Sequence, residues 1–421
     1  MTAEVLVLNA TAIALAADSA VTIGRGQKIY NSAIKVFSLS KHEPVGVMIY
    51  GNADIMGIPW ETIIKMYRKS LGNKSYERLE DYGDALIKFL REDNNVFTDT
   101  IKKRWFESNV TAYFIDIANE CAEKMAPREE GDAAQENLID HVVSRALEDR
   151  HQEIVRHEVI TCFDLEAVKN IKIQYSSEIE RAYADVFGDL LNDENKSTLV
   201  DLVVDLHVRS VFTNGYTGLV VCGYGDLDIF PAVSTFTIDG IVLDCVRYAL
   251  NEAKSHRMKH ENDCAIIPLA QEDMMASFME GLNPLVKIEF VEQLNELLNI
   301  LPNIAEECFS SNTGTHSFSI HLQEKINLIL EGIQNHLQEK HITPIIDMVR
   351  VLPKDELAAM AESLVNLTAF KRRMTDELET VGGPIDVAVI SKGDGFVWIK
   401  RKHYFDPKLN HHFFANYFQG E

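Results

Sequence analysis

The chain has 421 residues, 46% hydrophobic and 25% charged, the balance of a globular protein with a sizeable core. Its 64 acidic residues outnumber the 41 basic ones, giving a formal net charge of −23. That excess argues against binding nucleic acid or anionic lipid through a general electrostatic footprint, and no run of about 20 uncharged apolar residues predicts a membrane span.

Residues 5–8 form a short apolar run, Asn9-Ala10-Thr11 a turn and residues 12–17 a second run, which together predict a β-hairpin. Third and fourth strands are expected over 34–39 and 44–50, before Gly51-Asn52-Ala53-Asp54 breaks the pattern. The spacing of Met56, Trp60, Ile63, Ile64, Tyr67 and Leu71 then predicts a helix, with Pro59 near its start. Helical patterns dominate from 78 to about 210, broken by polar loops at 126–136 and 191–197. Strands are expected again over 218–225 and 229–241. A second helical block fills roughly 243–378, with loops near 261–268 and 309–317. The last strands, 385–390 and 396–399, flank the hairpin turn Lys392-Gly393-Asp394-Gly395.

The order strands, helices, strands, helices, strands suits separate domains or one sandwich with helical layers outside its sheets. No low-complexity linker divides the chain, which favours a single core built from about 2–94, 211–283 and 377–405, with helical insertions at 95–210 and 284–376. In the second insertion Leu285, Ile288, Val291, Leu294, Leu297 and Leu298 are expected to be a packing surface, with a lid or an assembly interface as the functional alternative.

The six cysteines (121, 162, 222, 245, 264 and 308) are scattered with no CxxC pair, and read as reduced core thiols. The dispersed histidines include one adjacent pair, His411-His412, expected at the surface rather than as ligands. Residues 5–17, ending Ala-Leu-Ala-Ala, mimic the core of a signal peptide. Glu4 is the only charge before Asp18, however, and no Lys or Arg precedes Arg25, so the expected location is cytoplasmic.

Thr2 directly succeeds Met1, and a small second residue permits removal of the initiator methionine. A chain-terminal threonine carries its own base, since an α-amine of reference pKa about 7.7–8.0 sits beside the hydroxyl. Alone, the residue is uninformative; the spacing of the residues downstream gives it value. Ala16-Ala17-Asp18-Ser19 ends the second strand sixteen residues on, Thr22 comes next, Lys35-Val36-Phe37-Ser38-Leu39 opens the third strand, and Gly51-Asn52-Ala53-Asp54 ends the fourth. In these residues the chain resembles the start of a proteasome β-type subunit, of the N-terminal-nucleophile hydrolase superfamily. Gly218 to Gly240 resembles that family's mid-chain strands, and Val381-Gly382-Gly383-Pro384-Ile385-Asp386-Val387 its closing strand, with Gly393-Asp394-Gly395 as the hairpin.

The resemblance implies an α+β fold, a four-layer αββα sandwich enlarged by helical insertions. It implies a threonine-type hydrolase of peptide or amide bonds, without metal or organic cofactor, acting on a peptide or protein substrate as a homo-oligomer; an ATPase unfoldase partner is implied by the family alone. Thr2 would attack the carbonyl, its amine taking the proton. A buried Lys35 ammonium would favour the neutral amine, Asp18 would hold that lysine, and the Gly51 amide would stabilise the oxyanion. Lys28 competes with Lys35; the latter is preferred because an apolar run succeeds it, as one succeeds the family lysine. Ser19 would support the site, and Thr22 stands where the family pairs its substrate as an added strand. Val21, Ala33, Ile49 and Ala53 would form small apolar pocket walls. The chain departs from the family where Val381 replaces a serine, where Glu377 and Glu379 fall beside the expected aspartate position, and where Gln271 stands near another supporting serine. A catalytically silent assembly or scaffold protein, and a small-amide hydrolase using the same nucleophile, are the alternatives.

Overall fold

The computed structural model describes residues 3–418 apart from 24–27, 32, 93–95, 126–131, 189, 213–214, 309–314 and 376–380. The expected N-terminal hairpin consists of β1 (Glu4–Asn9) and β2 (Ala12–Ala17), paired antiparallel from Glu4–Ala17 to Asn9–Ala12. Every residue of both strands is buried. Covered on both faces, such strands read as continuous apolar runs rather than alternating ones.

Two short strands, β3 (Val21–Ile23) and β4 (Lys28–Tyr30), pair with each other. Next come β5 (Val36–Ser38), β6 (Val45–Gly51), the small hairpin β7 (Asp54–Ile55) and β8 (Ile58–Pro59), and helices α1 (Trp60–Leu71) and α2 (Leu79–Glu92). The first helical block holds α3 (Asp99–Lys124), α4 (Asp132–Ile154), α5 (Leu165–Gln174), α6 (Ser176–Val186) and α7 (Asp193–Val208). Strands β9 (Thr217–Gly223), β10 (Ala232–Val242), β11 (Cys245–Leu250), β12 (His256–Arg257) and β13 (Cys264–Ala270) succeed it. The second block is α8 (Asp273–Glu280), α9 (Pro284–Cys308), α10 (Thr315–Leu337), α11 (Thr343–Val351) and α12 (Lys354–Arg373), before β14 (Asp386–Ser391), β15 (Gly395–Lys400) and α13 (His411–Phe418).

The protein is α+β with antiparallel sheets. One sheet runs β13-β1-β2-β14-β15; the other runs β11-β10-β9-β6-β5, with β12 beside β10. Because side chains alternate along a strand, each sheet has two faces to bury. Val5 and Val7 of β1 and Ala12, Ala14 and Ala16 of β2 pack against Leu357, Ala361, Leu364 and Val365 of α12. The opposite parity, Leu6, Leu8, Ile13 and Leu15, meets Met48, Tyr50, Val220 and Cys222 of the second sheet. The far face of that sheet, including Val47, Ile49, Leu219 and Val221, is covered by Trp60, Ile63 and Ile64 of α1 and Tyr82 and Leu86 of α2. Trp60, fully buried, also donates its indole N–H to Thr217 Oγ1 at 2.9 Å, which satisfies its one polar atom.

Three expectations are corrected. Residues 245–250, 256–257 and 264–270 are strands, where helix and loop were predicted. Pro268 is tolerated because β13 is a sheet edge, where a missing N–H costs no ladder bond. The last part of the expected 284–376 insertion is a layer of the core, since α12 lies on β1, β2 and β14. Along α9 the expected packing row is divided: Leu285, Ile288 and Leu297 are 72%, 54% and 46% exposed, and only Val291, Leu294 and Leu298 are half-buried.

Helices α3–α7 build a core of their own from Phe106, Val110, Phe114, Leu147, Leu199 and Val203, which reaches the sheet at Val242 and Cys245. Two further ties join this block to the strands. Arg247, buried on β11, pairs with Asp239 at 2.9 Å and donates to the carbonyls of Leu206 at 2.9 Å and Val211 at 2.7 Å. Cys162 and Cys245 are joined as a disulfide with Cα atoms 5.9 Å apart, within the bridgeable range, so these two are not the reduced thiols expected. Their separation of 83 residues is why the sequence hid the pairing.

His207, on α7, is fully buried beside Phe106, with ring centroids 4.3 Å apart, and its Nδ1 lies 2.7 Å from the Val203 carbonyl. Among the described residues Nε2 has no hydrogen-bond partner. Burial first, and the Arg247 charge second, lower its pKa from 6.5 to about 3. The unfolded chain therefore binds a proton below 6.5 that the folded chain refuses until about 3, and stability falls as pH drops through that window, by up to ~1.4 kcal/mol per pH unit. In urea titrations at pH 7 and pH 5, His207→Gln should lose less stability on acidification than the parent; equal losses would show that this histidine does not set the slope.

Candidate functional site

The site forms where the end of β2 meets the start of β5 and the segment before β14. Asp18, 1% exposed, is its hub. Its Oδ1 accepts the Lys35 ammonium at 2.6 Å and the Ala3 amide at 3.1 Å; its Oδ2 accepts the amides of Ala20 at 3.2 Å and Gly382 at 3.0 Å. Among the described residues, four donors reach this one buried carboxylate and fix its rotamer. The sequence arranges this locally, because β2 ends at Ala17, freeing the next residues from the ladder to turn back on the aspartate.

Lys35 is 7% exposed and also lies 4.0 Å from Glu4, which is fully buried. One ammonium thus stands between two buried carboxylates. Lys28, the competing lysine, belongs to β4, where it pairs with Ile23 of β3. Gly51 ends β6 opposite Thr217 with φ of 80°, and a Cβ built there would lie 2.6 Å from the Tyr216 carbonyl oxygen. Only glycine fits a strand end that is at once left-handed and this close to another backbone.

Ser19 donates its hydroxyl to the Pro384 carbonyl, while its amide donates to the Gly382 carbonyl at 3.2 Å, so it ties the β2 end to the segment before β14. Thr22 lies in β3, paired with Ile29. Gln271 sits just past β13 with φ of 49° and accepts a hydrogen bond from Arg372 Nε at 3.0 Å. Val381 is fully buried and packs with the α12 face of the first sheet. Thr2, Glu377 and Glu379 lie outside the described residues.

A cavity of about 560 Å³ opens against this cluster. Lys35, Gly51 and Gln271 line it, together with Val21, Ala33, Ile49 and Ala53, the four expected apolar walls. Sequence reasoning misses most of its remaining polar lining: Glu4, Tyr50, Tyr216, Lys254, Glu272 and Arg372. Lys254 donates to the Leu269 carbonyl at 2.6 Å and forms an ion pair with Glu272 at 2.6 Å, and its ammonium lies 4.8 Å from the centre of the Tyr50 ring. Burial, then the charges of Tyr216, Glu4 and Glu272, hold the Tyr50 hydroxyl well above the usual tyrosine range. It therefore stays a neutral donor at any physiological pH. Glu4 does leave a signal, as the only charge in the first apolar strand. A lone charge in a run buried on both faces needs a partner.

Among the described residues, no helix is long and apolar enough to cross a membrane, and no group of three or more His, Cys, Asp or Glu side chains is placed to hold a metal ion. Comparison with protein-family models and with curated proteins gives no match.

Proposed function

We propose that the protein is a threonine-type hydrolase of amide bonds, with Thr2 as nucleophile once Met1 is removed, on an αββα sandwich of the N-terminal-nucleophile kind. The observation that carries the reading is the Asp18 hub. Ala3, the residue covalently attached to Thr2, donates its amide to the same carboxylate that holds Lys35, and both Lys35 and Gly51 face one cavity. A nucleophile joined to Ala3 would be attached one residue from the hub that fixes the Lys35 ammonium, and that ammonium lines the same cavity as Gly51; a cation and a glycine amide are the two groups that acyl transfer from a terminal threonine requires.

In the proposed reaction the Thr2 amine takes the hydroxyl proton as Oγ bonds to the substrate carbonyl carbon. The C–N bond then breaks, and the departing nitrogen receives that proton. A water, deprotonated by the same amine, hydrolyses the acyl ester and restores Thr2. Lys35 supplies positive charge beside the nucleophile, and Asp18 with Glu4 compensates it in a site otherwise screened from solvent. The Gly51 amide stabilises the oxyanion. The cavity's apolar walls and its Lys254, Glu272 and Arg372 rim fit a peptide or another amide with both apolar and polar groups.

Intact mass of the native protein, before and after exposure to a threonine-directed electrophile, tests the reading. The expected result is a chain starting at Thr2 that gains one adduct, with no adduct on Thr2→Ala of unchanged circular dichroism. A retained Met1, or equal labelling of Thr2→Ala, would sink it and leave the scaffold reading.

A further inference from the structure

We propose that α9 is the contact surface of a two-fold dimer, packed antiparallel against α9 of a second copy with Gln293 on the axis. Val286, Phe290, Leu297 and Ile300 are 55%, 43%, 46% and 42% exposed. Their spacing, with Gln293 in the gap, is 4, 3, 4, 3, which holds one face of a helix over about 21 Å. The half-buried row Val291, Leu294 and Leu298 is a different face, so the chain's own packing leaves this stripe uncovered.

The stripe is self-complementary about its polar centre. Val286 and Ile300 lie seven residues to either side of Gln293, and Phe290 and Leu297 lie three and four residues away. Antiparallel pairing sets Val286 against Ile300 and Phe290 against Leu297 in both halves, the equivalence that an isologous two-fold interface demands. It brings the two Gln293 amides together: each Nε2 donates to Glu289 Oε1 of its own helix at 3.1 Å, and the second N–H and the carbonyl oxygen can pair across the axis, so one polar residue fixes the register. The four side chains offer on the order of 350 Å² of apolar surface, less than half of the ~800 Å² per partner of a standard interface, which makes this a weak, concentration-dependent dimer. Glu289 and Glu296 flank the stripe on the same side, so the pairing sets Glu289 of one copy beside Glu296 of the other. That repulsion makes the dimer weak and sensitive to salt.

Light scattering after size exclusion, at tens of micromolar protein and at two salt concentrations, tests the proposal without reference to any activity. The expected mass is twice the 47.6-kDa chain, with more dimer at high salt. Phe290→Glu and Leu297→Glu should give monomers of unchanged melting temperature, and Glu296→Lys should tighten the dimer at low salt by pairing with Glu289. Under mild oxidation Gln293→Cys should cross-link to a dimer, and Asn295→Cys, on the opposite side of α9, should not. A parent that stays monomeric, an assembly whose Glu variants keep their mass, or equal cross-linking at 293 and 295 would overturn it.

Discussion

Lys35→Met is expected to remove the reactivity of Thr2 and to cost the fold about 3–5 kcal/mol, the toll of breaking a buried ion pair from one side. Methionine matches the length of the lysine stem, so little packing is lost; what disappears is the charge. Asp18 and Glu4, 1% and 0% exposed, would then lose the ammonium that lies 2.6 Å and 4.0 Å from them. Asp18 would keep the amides of Ala3, Ala20 and Gly382, which hold its geometry but supply only partial charges. The two losses are separable. Chemical denaturation reads the first, and adduct formation at Thr2, measured where the variant is still fully folded, reads the second. Reactivity retained in a folded Lys35→Met would remove the lysine from the mechanism, and parental stability would mean that the two carboxylates are compensated from elsewhere.

Lys35→Arg sharpens the point. It preserves the charge but replaces a compact ammonium by a broader planar fork with a different donor geometry. Reactivity that depends on charge alone would survive this change, whereas reactivity that depends on an ammonium 2.6 Å from Asp18 would not.

The legible and illegible parts of this chain divide along physical lines. The β1–β2 hairpin is legible because burial on both faces writes an uninterrupted apolar run and the turn at Ala10 interrupts it once. Asp18 and Lys35 are expected from the family resemblance alone; the structure brings the two within 2.6 Å, where one strand ends and another begins. β13 is not legible, because an edge strand tolerates proline and is half-buried, leaving a pattern no cleaner than a loop. Nor is the role of α12, whose amphipathic pattern looks the same whether it covers a sheet or another helix. Glu4 shows a different limit: its charge is visible, but its closeness to Lys35 arises only when β1 and the start of β5 converge. The Cys162–Cys245 bridge depends likewise on two segments meeting in space, about which their spacing in the chain says nothing.

Gly51→Ala should lower Thr2 reactivity by on the order of 10²–10³, the usual cost of losing one oxyanion donor, with a stability loss of about 1–3 kcal/mol. The added methyl meets two obstacles. At φ of 80° an L-residue is strained, and the Cβ would sit 2.6 Å from the Tyr216 oxygen, a backbone atom that cannot rotate away. That oxygen also accepts the Asn52 amide at 3.1 Å, so pushing it aside moves the 51–53 rim of the cavity together with the proposed donor. Gly57 separates strain from displacement. Its φ is 81°, yet a Cβ there meets nothing within 4 Å. Gly57→Ala should therefore carry the conformational cost and keep full reactivity. If both variants lose reactivity alike, the effect is general destabilisation; if neither does, the Gly51 amide is not the oxyanion donor.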